Sequence, residues 1–117
     1  MPKKTFIAMG LMAALVLAAG WASGAGWFAP PPPPLVETPE AVAAGRAVFA
    51  YRCVGCHRDV RLEPRVAGWT ADRAYEVLGR LQDVPRANMP RFPGTEEDRR
   101  AVAVFLAALG AGRATTP

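Results

Sequence analysis

The chain is predicted to be all-α, and three observations carry that prediction. Three segments beyond residue 38 repeat apolar residues at helical spacing, each opens on a threonine suited to cap it, and no stretch reads convincingly as a strand. A chain of 117 residues allows one domain plus an appendage, and its 12 prolines mark the joints. No internal repeat is evident. The organisation expected is an apolar segment over 1–29, a proline-rich linker over 30–37, a helical domain over 38–112 and a tail over 113–117.

The first segment carries Lys3 and Lys4 and then no charge from Thr5 to Val36. It reads as a cleavable secretory signal or as a membrane anchor, and both demand export. Phe6 to Phe28, at ~1.5 Å per residue, is long enough for a hydrocarbon core of about 30 Å. Trp21, Trp27 and Phe28 suit the far interface. On the other side, Phe6 to Ala19 has the length of a signal core, and Ala22, Ser23 and Gly24 suit a signal peptidase. Pro30 to Pro34 favour a polyproline rod of roughly 15 Å, a spacer that suits a tether. We therefore expect an uncleaved apolar helix with Lys3 and Lys4 on the cytoplasmic side.

Thr38 caps the first helix of the domain, with Pro39 in its first position and Glu40 in its first turn. Val42, Gly45, Val48, Phe49 and Arg52 share one face. Thr70 caps a second helix over Ala71 to Leu81, whose Tyr75, Leu78 and Leu81 form a short apolar stripe. Thr95, followed by Glu96, Glu97 and Asp98, opens the last helix, because the cap oxygen and three carboxylates complement unpaired N–H groups and the dipole. Val102, Phe105, Leu106 and Leu109 should cross the first helix near Gly45, where no side chain blocks close approach. Gly110 and Gly112 stop it.

Between the first two helices, Cys53-Val54-Gly55-Cys56-His57 has the C-x-x-C-H spacing that attaches a c-type haem through two thioethers and one axial imidazole. The chain contains no other cysteine and no other histidine, so one haem is expected. A thiol redox motif normally sits at a helix start in a strand-helix-strand fold, for which strands are missing. A zinc site needs about four ligands and falls short here. The sixth iron ligand expected is Met89. Met1, Met9 and Met12 lie in the N-terminal segment, whereas Met89 sits in a loop stiffened by Pro90 and Pro93.

From about Pro39 to Gly110 the chain resembles a small class I cytochrome c. Gly45 to Phe49 is similar to the family's first helix, Met89-Pro90 with Phe92 to its methionine loop, and the acidic, alanine-rich segment to its last helix. The resemblance implies three helices wrapped around one covalent haem. Pro64-Arg65-Val66-Ala67-Gly68 resembles the loop whose proline carbonyl accepts the histidine N–H, which makes Pro64 the residue that orients His57. The family often carries glycine before that proline, and here it is Glu63.

What the resemblance implies is one-electron transfer with both axial positions filled, between a donor and an acceptor redox protein, on the extracytoplasmic side of a membrane. Val48, Phe49, Leu78, Leu81, Phe92 and Phe105 are expected to form the apolar shell. An electron-relay subunit of a larger membrane complex is an alternative, and a haem sensor or peroxidase-like enzyme with a labile sixth ligand is another. Twelve arginines against ten acidic residues leave the chain after Lys4 near +2. Arg52, Arg58, Arg61, Arg86 and Arg91 bracket the two haem motifs, suggesting a basic rim for an acidic partner. An exported haem domain rarely meets nucleic acid, so no nucleic-acid partner is expected.

Overall fold

The Thr38 hydroxyl accepts a hydrogen bond from the Ala41 N–H at 3.1 Å, and Pro39 follows where a missing N–H costs nothing. Helix α1, Pro39–Arg52, starts there. A one-turn helix α2, Val54–His57, follows directly, then α3, Ala71–Leu78, a 3-10 turn, Leu81–Asp83, and α4, Glu96–Gly110. The computed structural model describes residues 30–85 and 88–117. Among these residues there is no strand, and no helix is long and apolar enough to cross a membrane. The expected N-terminal apolar helix and Arg86 lie outside the described residues. The chain divides into two units, Met1–Pro33 and Pro34–Pro117, and every element above belongs to the second.

Helix α4 is the centre of that unit. The Thr95 hydroxyl accepts from Asp98 N, and the Asp98 carboxylate accepts from Thr95 N, both at 3.1 Å, so two orphan donors are satisfied by one reciprocal box. Val102 to Leu109 are then buried without interruption, because α4 packs against both α1 and α3. Phe105 and Leu109 are 0% and 1% exposed. The alanines between them leave room for two neighbours rather than one.

Two glycines permit the closest approaches. A Cβ on Gly45 would stand 2.0 Å from the Ala101 carbonyl oxygen and 2.6 Å from Phe105 Cβ, so α1 crosses α4 at the glycine the sequence singles out. A Cβ on Gly110 would stand 2.1 Å from the Val66 oxygen. Gly110 therefore seats a loop as well as ending the helix. The stop itself is Gly112, at φ 72°, with the Arg113 N–H bonded to the Ala108 oxygen at 2.8 Å.

The second helix is shorter than expected. It ends at Leu78, with the Gly79 N–H still bonded to the Tyr75 oxygen, and the break comes at Arg80, which leaves helical geometry at φ −134° and ψ 35°. Leu81 still reaches the core, carried by the 3-10 turn. Tyr75 packs on the same cluster as Leu78 and Leu81 and also makes a polar link to α4: its ring lies 3.9 Å from the Arg99 guanidinium and its hydroxyl bonds to Glu96. One apolar cluster joins Phe49, Val66, Ala74, Leu78, Leu81 and the buried face of α4.

Candidate functional site

Cys53 joins the first two helices. Its N–H donates to the Phe49 oxygen at 2.9 Å, closing α1, and its own carbonyl accepts from Cys56 N at 3.2 Å and His57 N at 3.1 Å. The C-x-x-C-H motif is thereby wound into one turn, α2, fixed to the end of a long helix. Cys53 is half-buried against the core, Cys56 is exposed, and both thiols are free. Burial pushes the Cys53 thiol above its ordinary value, outweighing the opposing charge of Arg52. A disulfide oxidoreductase needs the reverse, a thiol lowered to a ready thiolate.

His57 is half-buried beside Phe49, ring centroids 6.3 Å apart, and Phe49 in turn packs on Phe105 at 5.4 Å. Burial, and secondarily the charge of Arg65, hold its pKa below the usual histidine value, which favours the neutral, ligating form. Its Nδ1 is buried without a hydrogen-bond partner. The bond expected from His57 to the Pro64 carbonyl is thus not formed, and Pro64 is exposed. Instead the loop folds on itself: the Leu62 carbonyl accepts from Arg65 N and Val66 N, and Val66 is buried under Gly110.

Met89 is half-buried and packs on the same cluster as Cys53. Asn88 immediately before it takes φ 45°, a left-handed turn that asparagine tolerates better than most residues, and this aims the loop. Phe92 and Val48 also pack on the cluster, while Phe49, Leu78, Leu81 and Phe105 lie within it. A cleft of about 530 Å³ opens beside His57, lined by Val54, Arg61, Glu63 and Thr116 among others. Met89 does not line it. The structure therefore gathers Cys53, Cys56 and His57 on one turn, and Met89 packs on the same apolar cluster as Cys53.

The expected arginine rim is partly corrected. Arg52 pairs with Asp98 at 3.5 Å, so this member of the expected rim is partly neutralised by a carboxylate of α4. Arg58, Arg61 and Arg91 are exposed. Sequence reasoning did not place Val66 in the core, because the loop has no regular apolar period, and missed the pairing of Glu63 with Thr116, which bond at 2.6 Å from distant parts of the chain.

Two free thiols separated by two residues and one imidazole held toward its neutral form, on one turn at the edge of an apolar core, match covalent haem attachment with a single proximal nitrogen. Among the described residues no group of three or more His, Cys, Asp and Glu side chains is placed to hold a metal ion by protein ligands alone.

An all-helical domain carrying C-x-x-C-H in this way is a c-type cytochrome domain. It belongs to the family described as cytochrome C oxidase, cbb3-type, subunit III, whose family model matches residues 40–106, more than half of the chain. Comparison with curated proteins and with solved structures finds no match.

Proposed function

We propose that this domain transfers single electrons through one haem c, bonded through Cys53 and Cys56 and ligated at iron by His57 and Met89. The observation that carries the reading is the single turn α2 presenting both free thiols and a neutral imidazole inside the matched family span. When bound, such a haem supplies a metal that cycles between ferric and ferrous states. The protein's share is to fix the ring and to keep its surroundings dry and stiff. Cys53 and Val54 seat the turn on the core, Phe49 backs the imidazole, and the Asn88 turn orients Met89.

A methionine thioether raises the potential and leaves no open coordination site, which suits transfer and disfavours a sensor or peroxidase. Met89→Ala in haem-loaded protein is expected to abolish the sulfur-to-iron charge-transfer band of the oxidised form and lower the potential, with haem retained. A band that survives the substitution contradicts Met89. Pro64 belongs to the proposal only as a candidate acceptor for His57 Nδ1 in the haem-loaded protein, since that nitrogen has no partner here.

The family description favours a place in a membrane oxidase over a free carrier. In this second reading the apolar segment before the domain anchors it on the extracytoplasmic face, and the donor and acceptor are redox proteins of the complex. Stoichiometric partners retained after mild detergent extraction support the subunit; a protein that purifies alone supports the tethered carrier.

A further inference from the structure

The tail after α4 is tied to three separate parts of the domain. Arg113 forms a two-pronged pair with Glu37, ahead of α1, with Nε and Nη2 each 2.7 Å from a carboxylate oxygen. The Arg46 guanidinium of α1 donates to the Thr115 carbonyl at 3.2 Å. The Thr116 hydroxyl donates to Glu63 at 2.6 Å, and Ala114 packs on the core. Glu63 lies in the loop that follows His57, directly before Pro64. Thr116 and Pro117 line the same cleft as His57.

We infer that Glu63 and Thr116 are positioning residues for the proximal side of the haem: the tail is a strap that clamps the loop 58–66 over His57. This rests on the haem reading above. The Glu63 carboxylate recruits a hydroxyl 53 residues away and so ties the loop to the tail. The hydrogen bond is part-buried, and it holds the Glu63 carboxyl in its ionised, accepting form. The strap closes one wall of the cleft beside the imidazole. Opening it admits water to the proximal side, and a wetter haem has a lower potential.

The test compares wild type, Thr116→Val, Glu63→Gln and Thr116→Ser, each isolated from cells that attach haem. Thr116→Val is nearly the same volume without the hydroxyl. It is expected to lower amide-exchange protection at Arg65 and Val66, whose N–H groups bond to Leu62 at 2.8 and 3.0 Å, by about tenfold, and to shift the potential downward. Glu63→Gln is expected to do the same to a smaller extent, and Thr116→Ser to restore both readouts. Unchanged exchange at Arg65 and Val66 and an unchanged potential in haem-loaded Thr116→Val overturn the strap and leave the haem reading standing. A wild-type protein whose intact mass contains no haem overturns the haem reading first, and the positioning role with it.

Discussion

Gly45 is a residue whose whole contribution is the absence of a side chain. Gly45→Ala places a methyl group 2.0 Å from the Ala101 carbonyl oxygen, a backbone atom that cannot swing aside. Forcing α1 from α4 is expected to cost about 3 kcal/mol, the upper range for overpacking. Urea unfolding of the haem-loaded protein measures it, and a loss below about 0.5 kcal/mol contradicts the crossing, since that is the scatter of ordinary surface changes. Glu37 is expected to titrate below the ordinary carboxylate range, because the Arg113 guanidinium bonds to its ionised form. A folded value lowered in this way stabilises the fold above the usual carboxylate pKa, and the effect is lost as pH falls through the lowered value. Arg113→Gln should return the Glu37 carboxyl resonance to an ordinary titration; an unmoved curve contradicts the pair. The proposed attachment set of Cys53, Cys56 and His57 is read from spacing alone, because attachment chemistry fixes that spacing, and the three residues do fall on one turn. Glu63 with Thr116 was not, since a contact between residues so far apart leaves no local pattern.

At the scale of elements, capping explains why the helices begin where they do. Thr38, Thr70 and Thr95 each accept a backbone N–H three residues on, so all three starts could be read from residue type. Ends were harder. Apolar spacing continued through Leu81, but the chain left helical geometry at Arg80, φ −134° and ψ 35°, and the 3-10 turn then delivered Leu81 to the core by another route. Turn α2 carries no apolar period, so nothing but tertiary context marked it as helical. Thr95→Ala removes one half of the α4 box and is expected to cost about 1 kcal/mol, with Thr95→Asp recovering most of it. Equal stability of wild type and Thr95→Ala in thermal melts contradicts a box that matters to α4.

For the molecule as a whole, a unit spanning Pro34 to Pro117 is small for a hydrophobic core to hold unaided. Cys53 and Val54, at the attachment turn, pack against its apolar cluster, so a haem bonded there would extend the core. Cys53→Ser with Cys56→Ser is therefore expected to lose most of its helical circular dichroism, and a cooperative, native-like melt from that variant contradicts haem as a structural staple. The exported, tethered organisation was inferred from residues 1–29, outside the described part of the chain, and stands as a proposal joined to the family match. The most direct measurement is the denatured intact mass of protein made in cells competent for haem attachment. The account predicts the polypeptide plus one haem, with no thiol available to alkylation. Bare polypeptide with two alkylatable thiols would contradict it.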